Sequence, residues 1–244
     1  MNQMPRIDRR SFLVGSAVAG LSLGFHVPFA PSAGAQDAPE INAWVVIEPD
    51  DTVIIRIARS EMGQGTLTGL AQMVAEELEC DWSKVTTEYP TPGQSIARKN
   101  PWGDFSTGGS RGIRSSQEYV RKGGAAARMM LIAAAANEWK VPASECTAVN
   151  SVITHTPSSR STTYGKMAAA AALIEPPKDV QLKDPKDWRI IGKSVNRLDT
   201  RDKTTGKTIY GIDVKLPGML NATIKACPVF GGKLKSFDAD MSPR

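Results

Sequence analysis

The sequence has 244 residues, with 30 Lys and Arg against 25 Asp and Glu, two histidines and three cysteines. A net charge of +5 with aromatics at only 6% lacks the dense basic and aromatic stripe of a nucleic-acid face, so no nucleic-acid partner is expected. Cys80, Cys146 and Cys227 lie far apart with no Cys-x-x-Cys pair, which argues against a zinc site or iron–sulfur cluster made by this chain alone and predicts buried apolar thiols, with one disulfide plus a leftover thiol as the alternative.

The chain opens on Asp8-Arg9-Arg10-Ser11-Phe12-Leu13, a twin-arginine signature, followed by an apolar run to Ala30 and the small-residue site Ala33-Gly34-Ala35. Residues 1–35 are therefore expected to be a twin-arginine signal peptide, which predicts export to the periplasm. The run contains Gly15, Gly20, Gly24, His26 and Pro28 and is marginal as a membrane span.

Residues 43–48 and 52–58 read as two strands around the turn Pro49-Asp50-Asp51. Next comes Met62-Gly63-Gln64-Gly65, then a stripe of Leu67, Leu70, Ala71, Val74 and Leu78 that defines an amphipathic helix, with Thr68, Gln72, Glu76 and Glu79 on another face. Asp81-Trp82-Ser83-Lys84 ends it, and residues 85–89 form a further strand. The order β-β-α-β predicts an α+β layer.

Residues 91–112 read as a long loop that ends in Thr107-Gly108-Gly109-Ser110-Arg111-Gly112, and a loop of that length is commonly functional. A long helix follows over 113–139, with a face of small residues that predicts close packing within protein; Arg121, Lys122 and Arg128 interrupt it and exclude a membrane helix. Residues 149–155 read as one strand and 164–173 as a helix. A linker over 176–187 is expected to separate residues 36–175 from a second unit over 188–244, with strands at 206–213 and 219–226. Residues 178–207 carry nine Lys and Arg against five Asp and read as a solvated connector.

Gly63-Gln64-Gly65 and Gly108-Gly109-Ser110-Arg111 each open a helix, where unpaired N–H groups and the helix dipole favour an anion. Gln64 offers an amide N–H₂, and Arg111 a charge-assisted contact. Either motif taken alone is more often only a tight turn. No Walker lysine follows and neither matches G-x-G-x-x-G, so nucleotide binding is not indicated.

Together the stretches resemble a known family. "EMGQGTLTGLAQMVAEEL" is similar to the molybdenum-site segment of the xanthine dehydrogenase/aldehyde oxidase family, and "GKTIYGIDVKLPGMLNATIKACPVFGGKLKSFD" to the opening of its α/β hammerhead domain. Here the second follows the first, as in the permuted, exported branch typified by the isoquinoline 1-oxidoreductase β subunit and related aldehyde or nicotinate dehydrogenase subunits. "DWSKV" and "STGGSRG" also fit that branch.

The resemblance implies a molybdenum-cofactor-binding domain segment followed by the start of a hammerhead-like domain. It implies a molybdenum pterin, in the molybdopterin cytosine dinucleotide form, with no protein ligand to the metal from this chain. Gln64, as the family's matching glutamine, donates a hydrogen bond to an oxygen on molybdenum, while Gly63, Gly65, Gly108, Gly109, Ser110 and Arg111 line the cofactor. The implied chemistry is hydroxylation of an aldehyde or N-heterocycle with water as oxygen source. Electrons then pass to the [2Fe–2S] clusters of a small partner subunit and on to an acceptor such as a cytochrome c. The family's catalytic glutamate lies in a Gly-rich motif far towards the C-terminus, and Glu61, Glu76 and Glu77 do not match it. The chain is accordingly expected to be the N-terminal portion of a longer subunit and inactive alone; the alternative is a non-catalytic exported binding or assembly protein that keeps the fold.

Overall fold

A computed structural model describes residues 38–238. The expected signal peptide lies outside them. The described residues fall into two units, 38–208 and 209–238.

The larger unit is built on a four-stranded sheet in the order β1-β2-β3-β4, with β1 Glu40–Asn42, β2 Val45–Ile47, β3 Val53–Arg56 and β4 Val85–Glu88. β1, β2 and β3 are antiparallel, while β4 returns parallel to β3 with Val53 opposite Val85. The predicted β-β-α-β order is present. β1 is additional, a short strand turned by Asn42, whose Oδ1 accepts from the N–H of Trp44 and of Val45. This is an Asx turn with no Gly or Pro to announce it.

Between β3 and β4 runs α1, Thr66–Leu78. Its predicted stripe is the core face: Leu67, Leu70, Ala71, Val74 and Leu78 are all buried. The loop expected over 91–112 is partly helical. Pro92–Ala97 forms α2, closed by a capping box between Thr91 and Gln94, a Thr-x-x-Gln signature with Pro at the first helical position. The helix expected over 113–139 is two helices, α3 Arg111–Arg114 and α4 Gln117–Trp139, divided at Ser115-Ser116. The small face of α4 lets the two long helices approach until a Cβ on Gly124 would stand 2.5 Å from the Val74 carbonyl oxygen, and one on Gly123 2.6 Å from the Trp44 ring.

The single strand expected over 149–155 is a hairpin, β5 Cys146–Val149 and β6 Val152–His155, which β7 Arg160–Thr163 extends to a three-stranded antiparallel sheet. Asn150 and Ser151 turn it at φ 48° and 62°, the left-handed pair of a two-residue turn that suits strand twist. α5, Tyr164–Ala171, follows. The Tyr164 hydroxyl donates to the Leu78 carbonyl at 2.6 Å and thereby fixes α5 to the end of α1.

The stretch after α5 faces solvent, with no residue of 178–207 buried, but it is tethered rather than loose. Residues 183–199 run back along α1 from its C-terminal end to its N-terminal end, held by its polar face. Glu76 accepts from the N–H of Arg189, Ile190 and Ile191 and from Lys183 Nζ. Glu77 accepts from the Lys183 N–H and from Arg121. Gln72 Nε2 donates to the carbonyls of Ile190 and Lys193 at 3.3 Å, and Thr68 Oγ1 accepts from the Leu198 N–H at 3.1 Å. Positions 68, 72 and 76 are one turn apart, so the polar face read from the sequence is the track of this strap. A linker is expected over 176–187, whereas the division between the two compact units lies near residue 208. A short helix α6, Thr200–Thr204, precedes it.

Residues 209–238 hold no strand, only a 3-10 turn at Gly211–Asp213. The strands expected at 206–213 and 219–226 do not form. Ile212, Leu220 and Ile224 are each about nine-tenths exposed, and strand pairing needs neighbours and a buried face to be stable. Cys80 and Cys146 are buried thiols as expected, whereas Cys227 is exposed; all three are free. Burial pushes the Cys80 thiol well above its ordinary pKa.

Candidate functional site

The two glycine-rich segments, 43 residues apart in sequence, meet in space. Arg59, at the end of β3's extension, is the organiser: it is 5% exposed, and its Nε donates to Ser116 Oγ at 3.0 Å, its Nη1 to the Asp104 carbonyl at 3.0 Å and to Asp104 Oδ1, and its Nη2 to the Tyr119 hydroxyl at 3.2 Å. It also reaches the Ser106 carbonyl. One buried guanidinium therefore draws the 104–106 stretch and the start of α4 onto the end of β3, using the fork of donors only Arg provides. Beside it, the Ser60 N–H donates to Thr107 Oγ1 at 3.0 Å. Thr66, the first residue of α1, packs on Gly112 so closely that a Cβ there would stand 2.9 Å from Thr66 Oγ1. The sequence reading missed Arg59. Its signal was a lone Arg that ends an apolar strand, immediately before the glycine loop.

In the first loop Gly63 and Gly65 have φ of +102° and +85°, conformations that Gly adopts without a steric cost. A Cβ on either would meet nothing within 4 Å, so open space lies beside both. Gln64 is exposed. Its Oε1 accepts from the Met62 N–H and its Nε2 donates to the Ser60 carbonyl at 2.9 Å. A primary amide nitrogen carries two hydrogens; one closes the turn, and the second faces no described acceptor.

The free N–H groups expected at the mouth of α1 have a partner already. Glu61 folds back over the turn: its Oε1 accepts from the N–H of Gly63 at 2.7 Å and of Gly65 at 3.0 Å, its Oε2 from the N–H of Leu67 at 3.0 Å. Arg197 Nη2 lies 3.2 Å from the same carboxylate, whose side chain is 6% exposed. Burial raises its pKa, but the three backbone N–H groups and Arg197 outweigh that and leave it below the ordinary glutamate value. The positive φ of Gly63 and Gly65 brings these N–H groups round to one carboxylate, a geometry that linear spacing does not display.

In the second loop Gly109 and Ser110 are left-handed, with φ +66° and +57°, and a Cβ on Gly109 again meets nothing within 4 Å. Gly108 and Arg111 are tied to each other: Arg111 Nε donates to the Gly108 carbonyl at 3.2 Å, and Arg111 also contacts Ser106 Oγ and Asp104. Arg111 thus braces its own loop, with a side chain 41% exposed. α3 is a single four-residue turn and has little dipole to offer an anion.

These elements define an α+β domain that presents two glycine loops side by side beyond the end of the interior strand β3, with an exposed Gln64 amide between open glycine faces. Residues 6–214 match the model of the molybdopterin cofactor-binding domain, and the chain belongs to that family. This agrees with the resemblance read from "EMGQGTLTGLAQMVAEEL". The chain is 33% identical to the isoquinoline 1-oxidoreductase subunit beta of Brevundimonas diminuta over 93% of its own length and 34% of that protein. It is 32% identical to a membrane-bound aldehyde dehydrogenase [pyrroloquinoline-quinone] of Gluconacetobacter polyoxogenes over 95% of its length and 31% of that protein. It therefore spans about a third of the length of these relatives. Among solved structures it is similar to reconstituted CO dehydrogenase from Oligotropha carboxidovorans, with 23% identity, coverage of 52% of this chain and 15% of that one, and a TM-score of 0.39.

Proposed function

We propose that this chain is the molybdopterin-binding part of an exported oxidoreductase subunit that oxidises aldehydes or N-heterocycles. The observation that carries the reading is the joining of the two glycine loops at Ser60–Thr107 and Thr66–Gly112, beside an exposed Gln64 amide with one N–H that the turn leaves unclaimed. The residues present fit the cofactor. Gly63, Gly65 and Gly109 leave space for a bulky group against the backbone, and Gln64 has a donor for an oxygen of that group. When bound, the cofactor supplies oxidative hydroxylation with water as the oxygen source. The chain's own part is to hold and orient it. Gln64 donates one hydrogen bond, Arg59 keeps the second loop in register with the first, Arg111 braces the second loop from within, and Glu61 fixes the backbone of the Gly-Gln-Gly turn.

The cytosine dinucleotide form of the pterin, delivery to the periplasm by the twin-arginine route, a small subunit with [2Fe–2S] clusters, and a downstream acceptor such as a cytochrome c belong to the same proposal. Support comes from the leader sequence and from relatives named as a subunit beta and as dehydrogenases. One relative's name gives pyrroloquinoline quinone instead; the molybdopterin family match over residues 6–214 favours the pterin. The test is metal and pterin analysis of the full-length subunit purified with its partners. About one molybdenum and one pterin per subunit is the expected result. Stoichiometric pyrroloquinoline quinone without molybdenum, or neither group, would sink the proposal; the second outcome would leave the non-catalytic binding protein.

A further inference from the structure

The strap along α1 ends where the Gly-Gln-Gly turn begins. Glu76 and Glu77 hold residues 183–191 at the C-terminal end of α1, Gln72 and Thr68 carry the chain onward, and Leu198 docks on Thr68. That placement delivers Arg197 to the turn. There its Nη1 donates to the Gly63 carbonyl at 3.1 Å while its Nη2 faces Glu61. Asp199 takes Nε and Nη2 of the same guanidinium at 3.0 and 2.9 Å, and Lys203 in turn contacts Asp199. Arg197 is thus held in a fixed fork between two carboxylates and a loop carbonyl, a geometry suited to Arg rather than Lys.

The turn itself has no buried apolar residue to set its shape. Met62, Gly63 and Gln64 are all exposed. Its conformation depends on two positive-φ glycines, on the Gln64 amide and on the Glu61 carboxylate that gathers three backbone N–H groups. Remove the carboxylate and three donors at a helix start lose their partner together.

We propose that Glu61 and Arg197 are positioning residues for Gln64: the carboxylate takes the backbone N–H groups that an outside anion would otherwise take, and Arg197, carried there by the strap, holds the carboxylate in place. The mouth of α1 is then closed to phosphate, and the loop offers an incoming cofactor its open glycine faces and the spare Gln64 hydrogen only. The shape of the turn becomes sensitive to the strap some 130 residues downstream. The link to cofactor loading rests on the proposed function, whereas the link to loop shape does not.

The experiment uses the full-length subunit with its partners and has two readouts. The first is hydrogen exchange of peptides spanning 60–67, with peptides from α4 as the measure of an intact core. Glu61→Ala and Arg197→Met are expected to speed exchange in the loop by at least about tenfold and leave α4 unchanged. Arg197→Lys, which keeps the charge, is expected to recover part of the protection. In Glu61→Ala, formate added as a small carboxylate should restore protection that chloride at equal ionic strength does not. The second readout is molybdenum per subunit, expected to fall at least about threefold in Arg197→Met and to recover in Arg197→Lys. Loop exchange within twofold of wild type in both Glu61→Ala and Arg197→Met would overturn the proposal whatever the metal content. If loop exchange rises as expected but the wild-type subunit itself holds no molybdenum, the positioning role stands and the functional reading fails.

Discussion

Gln64 shows how one side chain serves a turn and remains available to a ligand. Its carbonyl and one N–H close the loop onto Met62 and Ser60, so a purely local role predicts a modest stability change on truncation, within about 0.5 kcal/mol for an exposed residue. A donor held at a reacting centre predicts more. In the assembled full-length enzyme Gln64→Ala is expected to lower kcat on the order of 10²-fold, about 2.7 kcal/mol, with the thermal midpoint little changed; steady-state kinetics beside calorimetry checks it, and wild-type turnover at full molybdenum occupancy would reduce Gln64 to a turn residue. Gly124 gives a second prediction of opposite sign to the usual rule. Gly→Ala within a helix ordinarily gains up to about 1 kcal/mol. Here the added methyl meets the Val74 carbonyl at 2.5 Å and Glu77 Cβ at 3.2 Å, so Gly124→Ala is expected to destabilise by about 1–3 kcal/mol through overpacking, measurable by chemical denaturation. The small residues of α4 were legible as a packing face because their clustering is a sequence property. Glu61 was not, because its role depends on the positive φ of two glycines that fold the backbone round it.

At the scale of elements, α1 carries most of the argument. Its apolar stripe was legible from spacing, because the burial of Leu67, Leu70, Val74 and Leu78 follows directly from a 3.6-residue period. Its polar stripe was legible as a separate face but not as the seat of the strap, because an exposed face and a face that receives another chain segment through buried carboxylates have the same composition. The 149–155 stretch failed similarly, since Asn150-Ser151 is a turn only through left-handed dihedrals. The strap yields a pH prediction. Burial raises the pKa of Glu76, but Lys183 and the N–H groups of Ile190, Ile191 and Arg189 outweigh it, so the folded pKa lies below the ordinary 4.5. A carboxylate with a depressed folded pKa contributes stability above its unfolded pKa and loses it as pH falls through the folded value. Stability is therefore expected to drop below about pH 4, with exchange protection of residues 183–191 lost first. Glu76→Gln should be less stable at pH 7, by about 3 kcal/mol for a buried pair broken on one side, and show a flatter acid limb. An acid limb identical to wild type would place the titrating groups elsewhere.

At the scale of the whole molecule, the leader and the activity remain to be tested. Changing Arg9 and Arg10 together to Lys is expected to leave the precursor in the cytoplasm, as read by cell fractionation. Correct periplasmic delivery of that double variant would remove the case for twin-arginine export. The expectation about activity starts from composition of the site. Gln64 and the two glycine loops can hold and orient a cofactor, yet proton abstraction needs a base within hydrogen-bond reach of the reacting group. The carboxylates of the turn and of α1 are committed: Glu61 to three backbone N–H groups and Arg197, Asp199 beside it to Arg197 and Lys203, and Glu76 and Glu77 at the far end of α1 to the strap. Each would have to break buried ion-pair contacts to act, and Glu61 is held in its ionised, weakly basic form. Residues 209–238 add exposed apolar side chains such as Ile212, Leu220, Ile224 and Phe230, a surface of the kind that is normally covered by other protein. The 244 residues expressed alone are accordingly expected to show no oxidation of aldehydes or N-heterocycles with an artificial electron acceptor, even when molybdenum cofactor is supplied. Turnover by the isolated chain that disappears when molybdenum is withheld would refute this, and Glu61 would then be the first residue to test as the base, by Glu61→Gln and the pH profile of kcat.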